Sequence, residues 1–164
     1  VGDCTGCDGT GRIQKFETLR VRIPSGVRSG SRIRVAQKGD AGADGSSPGD
    51  LFLVVDVKPH PFFRRERNDI LCIIPVTVTE AALGSQIEVL TVRGKARLKI
   101  PPGTQSGQKF RLKGRGVTSR GNGGRGDQLV EVRIVLPEIR DERSKELLRE
   151  FAILNPQDPR ARIG

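Results

Sequence analysis

The sequence predicts an all-β protein, with two tandem repeated β-sandwich-like modules followed by a C-terminal amphipathic helix. Three observations support this fold class. First, the 164 residues include 21 Gly and 10 Pro, which divide the chain into short segments. Second, apolar and polar residues alternate in several of those segments, as in strands with one buried face. Third, one block of sequence returns later in the chain.

The repeated block defines the two modules. Ile23–Val35 begins Ile-Pro-Ser-Gly, and a related segment beginning Ile-Pro-Pro-Gly follows 77 residues later at Ile100–Leu112. The same offset continues to two further pairs of residues, Gly39 with Gly116 and Asp50 with Asp127. A register kept over this length indicates two copies of one structural unit.

Local patterns predict the individual elements. Glu80–Gly84 is expected to form a helical turn that ends at Gly84, and a linker is expected near Arg64–Asp69. The predicted strands are Leu19–Ile23, Arg32–Val35, Leu51–Val57, Asp69–Thr79, Gln86–Thr91, Ala96–Ile100, Lys109–Lys113 and Leu129–Leu136. The predicted divisions are a cysteine-rich remnant at 1–14, modules at 15–66 and 67–138, a helix at 139–155 and a tail at 156–164.

The C-terminal segment has helical periodicity. Asp141 is a suitable N-cap, and Asn155-Pro156 is a suitable end. The apolar stripe consists of Leu147, Leu148, Phe151 and Leu154. This stripe could pack on its own module or pair with a second copy of the chain, and we favour the homodimer.

Charge is unevenly distributed along the chain. The net charge is +10, and no acidic residue occurs between Glu88 and Asp127. Such a stretch attracts anions, although it could equally be a solvated face. A basic nucleic-acid-binding module is therefore the alternative function. The absence of Trp and Tyr, and of an evident recognition helix, argues against it.

The cysteines suggest a metal rather than a disulfide framework. Cys4 and Cys7 lie in a CxxCxGxG unit, whose thiolates can hold one side of a zinc ion while the glycines allow a tight turn. Four ligands are needed, so the unit is half a zinc site. The alternative is a redox dithiol, but the βαβ unit in which a thioredoxin-like CxxC lies is absent from this sequence. Cys72 is predicted to be a core thiol, and His60, between two prolines, a turn residue.

Three further expectations concern class and location. The chain shows no HExxH, GxSxG or P-loop motif, so we do not expect an enzyme. It contains three Cys and no apolar run long enough for a membrane helix, so we expect a cytoplasmic protein without membrane attachment. It begins with Val and contains no Met, so we expect a fragment or a processed chain.

These motifs together resemble the C-terminal region of DnaJ proteins over residues 4 to 154. The set comprises the CxxCxGxG unit, the twin Ile-Pro-x-Gly turns, Gly49-Asp50-Leu51, Pro59-His-Pro-x-Phe63, Ala81-Ala-Leu-Gly84 and Gly126-Asp127. The resemblance implies a homodimer, joined by the C-terminal helix, that binds unfolded polypeptide and delivers it to DnaK. It also implies that Cys4 and Cys7 belong to the last of four zinc-binding cysteine units. The sequence has no J-domain, so we do not expect this chain to stimulate DnaK.

The resemblance also suggests contact residues. It places Leu19 and Phe63 in a client-binding pocket, where strand addition would supply further affinity. Val21 and Ile33 are added from the alternation of the strands. The acidic tail of the partner chaperone is expected to bind the basic face formed by Arg20, Arg22, Arg32 and Arg34.

Overall fold

The computed structural model describes residues 16–42, 46–118 and 123–161. The described residues up to Lys58 form one compact unit, and those from Pro59 onward form a second. The linker predicted near Arg64–Asp69 is wrong, because these residues form a hairpin of the second unit. The sequence-based boundary after residue 66 falls in the turn of that hairpin.

The first unit contains an antiparallel pair, β1 (Arg32–Val35) and β2 (Leu51–Val54), in which Ile33 lies opposite Leu53. The strand predicted at Leu19–Ile23 is not formed. The equivalent segment of the second unit pairs with a strand whose counterpart here, 77 residues earlier, is residues 8–14. Those positions lie outside the described residues, and no described strand takes their place.

The second unit contains most of the regular structure. Its elements are β3 (Arg64–Glu66), β4 (Asp69–Thr77), α1 (Val78–Leu83), β5 (Ser85–Thr91), β6 (Gly94–Ile100), β7 (Lys109–Leu112), β8 (Gln128–Val135) and α2 (Glu142–Leu154). A four-stranded sheet has the order β3-β4-β8-β7, with β4 parallel to β8 and the other neighbours antiparallel. A separate hairpin is formed by β5 and β6.

The core lies between the sheet and the hairpin. Alternate residues of the sheet strands face inward and meet the inward residues of β5 and β6, so each layer buries one face. The buried cluster contains Cys72, Val76, Ala81, Val89, Leu98, Ile100, Val130 and Val132. Together with the helix at the C-terminal end, this confirms the predicted all-β class.

The helix α1 follows β4 directly, because Thr77 is both the last residue of the strand and the N-cap of the helix. Thr77 accepts a hydrogen bond from the backbone N–H of Glu80, and the Glu80 carboxylate accepts one from the backbone N–H of Thr77. This reciprocal capping satisfies two helix-end donors and lowers the pKa of Glu80. Gly84 ends the helix at a φ of 79°, as predicted, and a Cβ there would lie 2.9 Å from Pro102.

The 77-residue repeat is reproduced in the backbone. β1 and β7 have the same bounds at this offset, and Ile33↔Leu53 in the first unit corresponds to Phe110↔Val130 in the second. The N–H of Gly30 donates to Val55 O at 2.9 Å, and that of Gly107 donates to Val132 O at 2.7 Å. The predicted repeat is therefore confirmed at the level of individual hydrogen bonds.

An aspartate closes the Gly-rich loop in both units. Asp50 accepts a hydrogen bond from the Gln37 N–H and pairs with Arg34 at 2.5 Å. The Gln37 bond, followed by that from Arg34, lowers the pKa of Asp50. Asp127 repeats the arrangement by accepting from Gly114 N–H at 2.7 Å. The shared Gly-Asp motif thus has a structural role in positioning the loop ends.

The C-terminal helix begins and ends as predicted. Asp141 caps α2 by accepting from the backbone N–H and the hydroxyl of Ser144, and Asn155 follows its last turn. No residue of α2 is buried. Neither helix in the described part of the chain is long and apolar enough to cross a membrane.

Candidate functional site

The second unit has a groove on the face of its sheet that is turned away from the core. Leu71, Ile73 and Leu129 alternate with the buried residues of β4 and β8, so they lie on the opposite face. The outer groove, as we name it, has a volume of about 290 Å³. It is lined by Pro61, Phe62, Arg64, Leu71, Cys72, Ile73, Lys109, Leu129 and Glu131.

Strand register explains why the floor of the outer groove is apolar and its borders are charged. Parallel pairing of β4 with β8 places Leu71 directly beside Leu129. Arg64 lies across from Leu71 on β3. On the other side, Lys109 of β7 lies across from Glu131, with 3.7 Å between the Lys109 Nζ and the carboxylate. The groove therefore offers an apolar floor with polar groups at its borders, a common composition for a binding site.

One end of the groove is formed by the Pro-His-Pro turn. His60 Nδ1 accepts hydrogen bonds from the N–H groups of Phe62 and Phe63 at 3.1 and 3.2 Å. The two phenyl rings meet edge to face with 4.9 Å between centroids. His60 is thus confirmed as a turn residue, and the turn it holds brings Phe62 to the groove.

Among the described strands, the sheet beneath the groove has two edge strands without a further partner. β3 and β7 are its outer strands, and each pairs with one neighbour among the described strands. An unpaired edge presents backbone N–H and C=O groups that an extended polypeptide can satisfy. Because Arg64 and Lys109 belong to these outer strands, the groove reaches both edges.

The sequence-predicted client contacts are distributed between the two units. Leu19, Val21 and Ile33 lie half-buried in the first unit. Phe63 lies in the second unit, where it packs against the core and the His60 ring. Sequence reasoning missed Phe62, Leu71, Ile73 and Leu129. The signal available for them is the continuous apolar run Ile70–Ile74, which indicates a strand that is apolar on both faces.

The basic residues predicted to bind an acidic tail are exposed. Arg20, Arg22 and Arg32 extend into solvent, and Arg34 is paired with Asp50. Arg32 and Arg34 share the outer face of β1 because they are two residues apart in a strand. Their role in binding stays a prediction.

The predicted zinc ligands Cys4 and Cys7 lie outside the described residues. Cys72 is a free thiol, 3% exposed, and its burial raises the pKa of that thiol. This confirms Cys72 as a core residue. Within the described ranges, no group of three or more His, Cys, Asp or Glu side chains is placed to hold a metal ion.

The apolar stripe of α2 is open to solvent in the single chain. Leu147 and Leu148 are each 49% exposed, and Phe151 is 57% exposed. Leu154, at the end of the helix, is more exposed still. The stripe is therefore largely uncovered in the single chain, and its pairing with a second copy stays a prediction.

The described residues combine a repeated β-fold with an apolar groove, strands at the sheet edges and an exposed helix stripe. The family model for the DnaJ C terminal domain matches residues 6–137, and the chain belongs to that family.

Curated relatives support the same assignment. A protein from Parageobacillus thermoglucosidasius described as "Chaperone protein DnaJ" is 53% identical over 148 residues, covering 90% of this chain and 39% of that protein. A relative of the same description from Bacillus cytotoxicus is 51% identical, covering 91% and 41%. One from Halalkalibacterium halodurans is 46% identical, covering 95% and 42%. The chain spans about two fifths of the length of these relatives.

Proposed function

We propose that this chain is the client-binding part of a DnaJ-type co-chaperone, which holds non-native polypeptide for delivery to DnaK and is not an enzyme. The observation that carries the proposal is the outer groove between open sheet edges. Membership of the DnaJ C-terminal domain family and the description of the relatives as chaperones support it. An apolar groove and strand edges can bind clients of many different sequences. A protein that binds varied unfolded chains requires such surfaces.

The groove and the edges act on different parts of a client. A volume of about 290 Å³ lies at the small end of ligand sites, so it suits one or two large apolar side chains. Burying one such side chain contributes about 1.5–3 kcal/mol. Backbone hydrogen bonds to β3 or β7 add affinity that does not depend on client sequence. The resulting binding is weak and reversible, as a protein that must release its client needs.

The first unit contributes contacts of the same kind in our proposal. Leu19, Val21 and Ile33 are its proposed client contacts, and Phe63 is one in the second unit. The half-buried state of these side chains supports this, because each retains surface for a ligand. The exposed arginines of the first unit are proposed to bind the acidic tail of DnaK.

Two further parts of the proposal concern assembly and metal. We propose that α2 joins two copies of the chain through its exposed stripe, since an uncovered row of large apolar side chains is unfavourable in water. Cys4 and Cys7 are proposed as two thiolate ligands of a structural zinc ion. A cytoplasmic location follows from the same proposal.

Suppression of aggregation tests the client-binding role. Light scattering of a chemically denatured client is followed with the wild-type chain and with Leu71→Thr, which removes part of the groove floor. The matched control is Leu90→Thr on the outer face of β5, where the leucine is 52% exposed. Wild type and Leu90→Thr should suppress aggregation, and Leu71→Thr should do so less. Equal activity of all three chains would overturn the assignment to the groove.

A further inference from the structure

A second surface of this unit lies on the β5–β6 hairpin, away from the outer groove. β6 alternates between residues that face the core and residues that face solvent. Ala96, Leu98 and Ile100 face inward, whereas Lys95, Arg97 and Lys99 are exposed. Successive exposed residues are separated by roughly 6.6 Å along a strand. They form an evenly spaced row of cations, which we name the β6 row.

Few acidic side chains lie near the β6 row. The outer residues of β5 across from it are Gln86, Glu88 and Leu90. Glu88 pairs with Lys95 at 2.5 Å, and within the described part of the chain neither Arg97 nor Lys99 forms an ion pair. The cations of β7 differ, because Lys109 and Arg111 lie 3.7 Å from Glu131 and Asp127. One carboxylate therefore faces three cations, and the β6 row keeps a net positive charge.

The backbone of the same three residues forms an open edge. The carbonyl oxygen of Leu90 accepts a hydrogen bond from the Gln128 side chain at 2.8 Å, so it points away from β6. Leu90 lies opposite Lys95, which makes this a non-hydrogen-bonded pair whose backbone groups point outward on both strands. Arg97 and Lys99 lie two and four residues further along β6, so their backbone N–H and C=O groups point outward as well. No described strand pairs with β6 on that side.

We propose that the outer edge of β6 binds an extended acidic polypeptide segment by strand addition, with alternate Asp or Glu side chains facing the β6 row. An added strand satisfies the backbone groups of Lys95, Arg97 and Lys99. Its alternate side chains have the same spacing as the cations, so each carboxylate meets one of them. The row repels basic strands and offers no charge attraction to neutral ones, so the cations that protect this open edge also select acidic strands.

Nucleic acid fits this surface less well than an acidic peptide. Phosphates accept hydrogen bonds but donate none, so the outward carbonyl groups of β6 would stay unpaired. Bases bound without sequence preference stack on aromatic side chains. The outer face of the hairpin, formed by Gln86, Glu88, Leu90, Lys95, Arg97 and Lys99, contains no aromatic residue.

Fluorescence anisotropy with synthetic probes tests the proposal on the full chain. The probe is a fluorescein-labelled peptide of alternating Glu and Thr. The variant Arg97→Gln/Lys99→Gln removes two cations of the β6 row. Its matched control, Arg111→Gln/Lys113→Gln, removes the same charge from β7 and the residue that follows it. We expect the first variant to weaken binding about three- to tenfold, as two exposed ion pairs would, and the control to weaken it less than about twofold.

Further probes separate strand addition from simple charge attraction. The same peptide with alternate backbone amides N-methylated should bind poorly, because it cannot donate to β6. In the wild-type chain, hydrogen exchange at the amides of Lys95, Arg97 and Lys99 should slow when the unmodified peptide is added. The hydrogen-exchange measurement uses the wild-type chain, so it tests the proposal even if a variant is unstable.

Several results would overturn the proposal. Equal losses in the two double variants would show attraction to bulk charge. Unchanged binding of the N-methylated peptide, or unprotected β6 amides, would exclude strand addition. Tighter binding of a single-stranded oligonucleotide with the same dependence on Arg97 and Lys99 would make the surface a nucleic-acid site. Because Leu71→Thr affects only the outer groove, failure here is distinguishable from failure of the proposed function.

Discussion

Replacing Gly126 by Ala should destabilise the second unit strongly. A Cβ at Gly126 would overlap the backbone carbonyl group of Asn68 and lie 2.6 Å from Asp69 Oδ1. These are backbone and hydrogen-bonded atoms, which cannot move aside as the end of a flexible side chain can. Asn68 O also accepts from Val117 N–H at 2.8 Å, so moving it would break that bond.

The size of the effect follows from these two costs. Overpacking a tight site costs about 1–3 kcal/mol. Losing one backbone hydrogen bond adds about 0.5–1.5 kcal/mol. We therefore expect a loss of about 2–4 kcal/mol in the free energy of unfolding, and a fall in the Tm of the second unit of about 10 °C or more.

Two controls make the measurement specific. A Cβ at Gly124 meets no atom of the described residues within 4 Å, so Gly124→Ala should be nearly neutral. Gly49 is the counterpart of Gly126 in the first unit, and its nearest contact would be the carbonyl of Asp40 at 3.8 Å. Thermal and urea unfolding are followed by circular dichroism. A Gly126→Ala chain as stable as Gly124→Ala would refute the packing of this loop on the β3–β4 turn.

Three other predictions follow from single features. Phe151→Ser should convert a dimer to a monomer in sedimentation. Ile153→Ser, roughly 200° around the same helix, should leave the dimer intact. Dimers in both variants would show that the stripe is not the dimer interface. The pKa of Asp141 is lowered by its bonds to Ser144, so its stabilisation of α2 is present above the ordinary carboxyl value of 3.8 and lost as pH falls through the lower folded value. Helical ellipticity should fall in that acid range, and Asp141→Ala should remove this dependence. Cys72 should react with a thiol reagent only on unfolding, and fast reaction of the native chain would contradict its burial.

Sequence reasoning predicted most of the fold because the repeat constrains both copies at once. The Gly residues of the twin turns need positive φ, as at Gly26 and Gly103, with values of 83° and 77°. Their spacing from the Gly-Asp loop ends sets the strand register. The prediction of a strand at Leu19–Ile23 was wrong. Alternating apolar and polar residues indicate which face of a strand is buried, but they do not show that a neighbouring strand is present to pair with it.

The outer groove was not predicted, and the reason is physical. Ile70–Ile74 is apolar throughout, so periodicity does not say which side is core. The parallel pairing that places Leu71 beside Leu129 joins segments distant in sequence. Phe63 was named from the family motif, but the His60 turn directs the neighbouring Phe62 to the groove. Local patterns specify strands, whereas the site depends on how those strands are ordered.

Methyl NMR on the labelled chain tests the central claim most directly. A soluble, extended peptide with one Leu is titrated, and its Leu→Ala version serves as the control. The account predicts that methyl signals of Leu71, Ile73 and Leu129 shift together with the Leu peptide, while those of Leu90 on the hairpin and Leu98 in the core do not. Shifts at Leu90 alone, or no change at the three groove residues while the peptide binds, would contradict the assignment of client binding to the outer groove.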